Sequence, residues 1–322
     1  MQNYNKNYII NKLINFKRIN MNIIVCGGNG FIGSNLVQHL LNKGHNVTIL
    51  DRNKARISSP NLKAYQIDLL HPDSFKTEWF ENVDVIINLS GKDIFTFWNQ
   101  KTKKLIWDSR VTVNKNLVEY IRKLPQKPKT FISASAVGFY GDKGEEELNE
   151  ESPHGKGFLS DVCIAWEKEA RMAEKYGIRS VQVRTAPVLL KNGGIMHQLM
   201  KSMRFGFTFV FGNGKNWFSW IYMLDLLRIY EEVAIHDNFS GPVNASSPNP
   251  VRFKDFVKSL TKIQKAIIIP IPAFLIKLFL QETADVLLFS QRMIPSKIQN
   301  HGFKFLYPDL DNALKEIFKK TY

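Results

Sequence analysis

The stretch Ile23-Ile24-Val25-Cys26-Gly27-Gly28-Asn29-Gly30-Phe31-Ile32-Gly33 decides how this chain folds. Its first four residues are apolar and predict a buried parallel strand. The glycines then predict a tight turn, and Ser34 to Leu41 has the apolar spacing of a helix. Past Gly44 a second strand, Asn46 to Leu50, ends at Asp51-Arg52. A strand, a glycine turn, a helix and a second strand closed by an acid form the arrangement that binds dinucleotides. Glycines let the backbone approach a pyrophosphate, and the helix N-terminus offers free N–H groups and a partial positive charge. Asp51 lies 18 residues beyond Gly33, a spacing that a bare glycine run lacks.

Outward from this unit, strands are expected at 63–67, 83–89, 129–134 and 179–185 as well as 22–26 and 46–50. Helical periodicity covers 32–43, 103–123 and 158–176. Such alternation predicts an α/β fold, a Rossmann doubly wound parallel sheet with helices on both faces. After about residue 190 the pattern changes. Gly193-Gly194 opens a helix through Met203, a Gly-Asn-Gly turn follows at 212–214, and helices are expected at 225–235, 253–260, 273–289 and 309–319. The expected division is an N-terminal extension at 1–20, a nucleotide-binding domain at 21–190, and a smaller α+β C-terminal substrate domain at 191–322. Some segments of the last are expected to return to the first sheet.

The 322 residues are 44% apolar, which suits a globular chain with a large core. Cys26 and Cys163 cannot make a disulfide framework, so both are expected to be reduced and packed, in a cytoplasmic setting. The net charge of +15 is dispersed. It favours anionic ligands without specifying one, and no nucleic-acid module accompanies it. No apolar run is long enough to span a membrane, because Pro270, Pro272 and Lys277 interrupt the longest, Ala266 to Leu280. A small-molecule substrate is therefore the expected partner, with neither nucleic acid nor membrane. Residues 1–20 are basic and acid-free; they read as a disordered extension, with an organellar leader left open. His154, His197 and His301 lack metal-ligand spacing, so no metal is expected.

Further stretches carry a family resemblance. Gly27 to Gly33, Asp68-Leu69, Asn88-Leu89-Ser90-Gly91 and Ser133 to Gly141 are similar to segments of the extended short-chain dehydrogenases/reductases. Trp107-Asp108-Ser109-Arg110-Val111, Phe158-Leu159 to Trp166-Glu167, Arg184 to Leu189, Trp217 to Ile221, Gly241 to Ala245 and Gly302 to Phe305 resemble the atypical branch called epimerase family proteins. The resemblance runs from Met21 to about Phe318. It implies a small C-terminal domain, NADP(H) binding and a nucleoside-diphosphate-sugar epimerase-like activity of unknown substrate. By analogy, helices 103–123 and 158–176 would make a homodimer.

Gly27, Asn29, Gly30, Phe31, Ile32 and Gly33 are the expected pyrophosphate cradle. Asp51, Arg52 and Asn53 choose the cofactor. A carboxylate favours the ribose hydroxyl of NAD(H), and an arginine favours the 2′-phosphate of NADP(H). The resemblance tips the reading toward NADP(H), with NAD(H) open. It assigns Asp68 and Leu69 to the adenine, and Leu89, Ser90 and Gly91 to the nicotinamide half. Lys92, Arg110, Ser133 and Pro187 complete the expected cofactor set.

Catalysis is less legible. The resemblance puts Leu159 and Cys163 where classical members have the tyrosine and lysine of Tyr-x-x-x-Lys. The usual serine position falls on Ala136, which leaves the neighbouring Ser135 as the catalytic candidate. Trp98, Trp217, Trp220 and Tyr222 are pocket-wall candidates, with core packing as the other reading, and Asp225 is expected to cap a helix. Two functions follow, an oxidoreductase or epimerase-like enzyme and a non-catalytic dinucleotide-binding sensor or scaffold.

Overall fold

Apolar runs build the central sheet from β1 (Asn22–Cys26), β2 (Asn46–Asp51), β3 (Leu62–Gln66), β4 (Val85–Asn88), β5 (Thr130–Ala136), β6 (Arg179–Thr185) and β7 (Gly241–Ala245). In the computed structural model, which describes residues 20–191 and 193–319, the order is β7-β6-β5-β4-β1-β2-β3. Every pairing in it is parallel. The reading of residues 1–20 as an extension falls, apart from Asn20, outside the described residues.

The flanking helices are α1 (Phe31–Asn42), α2 (Gln100–Trp107), α3 (Val113–Ile121), α4 (Phe158–Arg171), α5 (Gly194–Met203), α6 (Met223–Ile235) and α7 (Phe253–Ile263). Strand side chains alternate between faces. Ile23 and Val25 of β1 therefore join one core with Leu36, Val37 and Leu40 of α1. Ile24 and Cys26 join the opposite core with Leu117, Val118 and Ile121 of α3. A sheet buried on both faces needs such continuous apolar strands.

β1 has β2 on one side and β4 on the other, so the connections leave it in opposite directions. This switch point opens a crevice at the C-terminal ends of β1 and β4, where ligands of such sheets bind.

The helical prediction over 103–123 resolves into α2, a π-turn at Asp108–Thr112, and α3. The prediction over 273–289 fails as one helix. It breaks into Ala273–Leu280, a 3-10 turn at Gln281–Ala284 and a short helix at Asp285–Leu288, with Gln281 at φ +49°. A non-glycine residue in that region interrupts helical hydrogen bonding. Ile267–Ile271, not anticipated as a strand, pairs in parallel with Phe207–Phe211. In the second half, α6 packs Leu226, Ile229, Tyr230 and Val233 into the core of α1. α5 and α7 instead share a separate core with Phe218, Trp220 and Leu314.

Candidate functional site

The glycine turn is shaped by what cannot fit in it. Gly27 has φ +75°, and a Cβ there would stand 2.9 Å from the Ser90 backbone nitrogen. At Gly33 a Cβ would stand 2.2 Å from the Gly27 carbonyl oxygen. The turn thus lies against the end of β4 and α1 lies against the turn. α1 has Gly30 as N-cap, no side-chain cap and no acid in its first turn. Its first N–H groups have no capping side chain, which suits a pyrophosphate. Phe31 and Ile32, the first two residues of α1, pack on the core, and the Phe31 ring occupies the space a side chain at Gly193 would take.

Asp51 and Arg52 face different ways. One Asp51 oxygen accepts the backbone N–H of Asn29 at 3.1 Å, and the other accepts that of Asn53 at 2.9 Å. The Asn29 side-chain amide donates to the Asn53 carbonyl, which closes the loop. Arg52 is exposed and makes no ion pair among the described residues. Asp51 and Arg52 form no ion pair with each other. Asp68 accepts the N–H of Leu70, while Leu69 is buried and its carbonyl accepts from Asn116.

The loop after β4 is held by the π-turn. Lys92 donates its backbone N–H to the Ser109 hydroxyl at 2.9 Å, and Arg110 Nη2 donates to the Lys92 carbonyl at 2.9 Å. Insertion of one residue into the helical ladder aims consecutive side chains at the loop. Gly91 lets the guanidinium lie close, since a Cβ there would stand 3.2 Å from it and push it back by a few tenths of an ångström. Arg110 also lies 5.3 Å from the Trp166 ring centroid, and its burial pulls the guanidinium down to about 10. Leu89 and Ser90 are half-buried and the Lys92 side chain is exposed.

The end of β5 is different in kind. Ser133 is fully buried and accepts from Asn114, whose oxygen accepts from Asn88. Its hydroxyl therefore braces β4, α3 and β5 and does not face the crevice, contrary to its expected cofactor role. Ser135 is also buried and donates to Glu167 at 2.6 Å. Glu167 forms a two-pronged pair with Arg184 at 2.8 and 2.9 Å. Arg184 continues to Tyr140, which donates to Asn244. A catalytic serine needs an accessible hydroxyl beside a proton acceptor that can release it. Ser135 is instead tied into a closed buried network, so the structure does not support that assignment.

Leu159 and Cys163 lie against the same strand end. A Cβ at Gly138 would meet Leu159 at 3.3 Å and the Cys163 sulfur at 3.7 Å. Burial first, and Glu167 second, push the Cys163 thiol up to about 12. A thiol so held is not a nucleophile at neutral pH.

The four aromatic candidates do not make one wall. Trp98 belongs to a cluster with Ile106 and Val162, Trp220 is core, Trp217 lies between Arg252 and Arg292, and Tyr222 packs on Tyr307. Pro187 is half-buried after β6, its carbonyl accepting from Ile221. Asp225 is not a helix cap. It accepts the N–H groups of Leu306 and Tyr307 and pairs with Arg228. Among the described residues no group of side chains could hold a metal, and both cysteines are buried free thiols.

Sequence reasoning gave no role to Glu167 and Arg184. A signal existed, because an arginine inside the buried strand Arg179–Thr185 requires a counter-ion. Only the fold shows that α4 supplies it.

Residues 23–244 match the model of the NAD dependent epimerase/dehydratase family, and residues 271–317 match a domain of unknown function, DUF1731. Epimerase family protein YfhF of Bacillus subtilis is 35% identical over 92% of this chain and 98% of its own length. A chloroplastic SDR39U1 homolog of Arabidopsis thaliana is 32% identical over 94% of this chain and 88% of its own length. The crystal structure of human epimerase family protein SDR39U1 with NADPH superimposes with a TM-score of 0.81 at 29% identity, over 92% of this chain and 99% of that one. With the glycine cradle, the parallel sheet and nearly full-length similarity agreeing, the chain belongs to the NAD dependent epimerase/dehydratase family.

Proposed function

We propose that this chain is an NADP(H)-binding oxidoreductase acting on a small carbonyl or alcohol substrate. The observation that carries the cofactor choice is the division of labour at the end of β2. Both Asp51 oxygens are engaged by backbone N–H groups, while Arg52 is exposed and without an ion-pair partner among the described residues. A planar guanidinium suits a 2′-phosphate, and a carboxylate turned to its own backbone repels it less. The human relative with bound NADPH supports the same reading.

The residues present fit the cofactor. The Gly27–Gly33 turn excludes side chains and leaves α1 uncapped, so it would hold the pyrophosphate. Asp68 and Leu69 would border the adenine. Leu89 to Lys92, pinned by Ser109 and Arg110, would border the nicotinamide ribose. Bound NADP(H) supplies or takes up a hydride at C4 of its ring. The loops at the C-terminal ends of β4 and β5 would orient that ring. Epimerisation by transient oxidation needs a base at the substrate hydroxyl. Leu159 and the neutral Cys163 thiol provide none, which favours a reductase with a solvent proton over an epimerase. The same observation also favours a second reading, a redox sensor that binds the dinucleotide without turnover.

Fluorescence titration with NADPH and then NADH tests the proposal. NADPH is expected to bind more tightly, and Arg52→Ala to weaken it about 10- to 100-fold, the worth of a charge-assisted hydrogen bond, with NADH little changed. Equal affinities insensitive to Arg52→Ala would overturn the cofactor choice. Binding without NADPH consumption across aldehydes, ketones and sugar nucleotides would select the sensor.

A further inference from the structure

The C-terminal unit carries an apolar surface that nucleotide binding does not use. Ile267, Ile269 and Ile271 stand opposite Phe207, Phe209 and Phe211 in the parallel strand pair. Strand periodicity sends these six side chains to one face and Thr208, Val210 and Ile268 to the other. The second face is packed, with Thr208 and Val210 buried and Val210 and Ile268 joined to the core. On the first face Phe211 stacks on Phe253 of the core, and Phe207, Phe209 and Ile271 are half-buried, while Ile267 and Ile269 are open. Ile267 is 74% exposed and Ile269 41%. Helix Ala273–Leu280 follows after Pro272 and exposes Phe274, Leu278 and Phe279 to 68, 68 and 72%. Surfaces of this kind mark interaction sites on soluble chains.

The segments that build it carry charge of one sign, with Glu282 and Asp285 following just beyond the helix. Neither of the two segments that build the surface, 194–215 and 256–280, contains an aspartate or glutamate. Arg204 precedes the first strand, Lys265 precedes the second, and Lys277 lies on the helix. All three are exposed and have no ion-pair partner among the described residues. An apolar face rimmed by cations is complementary to an anionic lipid surface, with aromatic and aliphatic side chains entering the headgroup boundary and cations meeting phosphates. A second copy fits less well, since joining two such faces would oppose like-charged rims.

We propose that this face, strands 207–211 and 267–271 with helix 273–280, docks the protein on anionic membrane surfaces. No described helix is long and apolar enough to cross a membrane, and docking of this kind requires none.

Flotation of the full-length protein with phosphatidylcholine vesicles, with and without phosphatidylserine, in about 0.1 M salt tests it. The protein is expected to float with the anionic vesicles and not with the neutral ones. Two variants are compared, Phe274→Ser/Leu278→Ser/Phe279→Ser and Arg204→Glu/Lys265→Glu. Each is expected to lose roughly tenfold or more of the vesicle affinity, with an unchanged near-UV circular dichroism spectrum as the check on folding. Flotation with neither vesicle would overturn the proposal. So would variants that float like the parent, because another part of the chain would then bind. A dimer in sedimentation velocity that the triple variant converts to monomer, without lipid binding by either, would give the face to a second copy.

Discussion

The two ends of the crevice are built by different means. The glycine turn after β1 is a backbone device, where positive φ, missing Cβ atoms and uncapped N–H groups make the shape. The end of β5 is a side-chain device, in which Ser135, Glu167, Arg184 and Tyr140 satisfy one another and are closed to solvent. The first leaves donors free for a ligand. The second spends its polar groups on one another. A backbone-built turn can therefore stand in one crevice with a strand end packed by Leu159 and a buried thiol.

The largest expected effect separates structure from chemistry at the second end. Glu167→Ala removes one partner of a buried two-pronged pair and strands the Arg184 charge. Such a loss costs about 3–5 kcal/mol. Urea unfolding should show the fall in midpoint. If the midpoint holds while NADPH oxidation disappears, Glu167 takes part in chemistry and the contrast between the two ends breaks. Next in size is Gly33→Ala, which drives a methyl against the Gly27 carbonyl oxygen. Relief requires α1 to move off the turn, at about 1–3 kcal/mol in stability. NADPH affinity should fall roughly tenfold or more alongside. Retained affinity would mean that the nucleotide does not rest on this turn.

Much of the first end was legible in the sequence, for a physical reason. A backbone device depends on glycine positions and local order, and both are written consecutively from Ile23 to Asp51. The six strands expected in the first half form within a residue or two of their predicted limits, because buried parallel strands are continuous apolar runs. The second end was not legible. Ser133 and Ser135 lie two apart and looked alike, yet one braces Asn114 and the other Glu167, partners 19 and 32 residues away along the chain. Sequence spacing does not carry such contacts. The strand at 267–271 was missed because Pro270 interrupts its run and Pro272 follows it, and a proline is tolerated at a sheet edge.

The smallest effect concerns Cys163, packed against the end of β5. Burial raises its thiol from the ordinary 9.0 to about 12. The folded state then holds this proton more tightly than the unfolded state does. The resulting stability is complete below pH 9.0 and is lost as pH rises from 9.0 towards about 12. Cys163→Ala should cost only about 1–2 kcal/mol near neutrality, the order expected for a small packed side chain. It should also flatten part of the stability decline above pH 9.0, while the Cys26 thiol and the Tyr140 and Tyr230 hydroxyls, all raised by burial, keep the rest. Iodoacetamide gives the direct readout. In the native protein at pH 8 the thiol should react far more slowly than in urea. Rapid native alkylation at Cys163, located by peptide mapping, would mean that a thiolate faces the crevice. The second end would then carry a nucleophile after all, and the comparison would have to be redrawn around it.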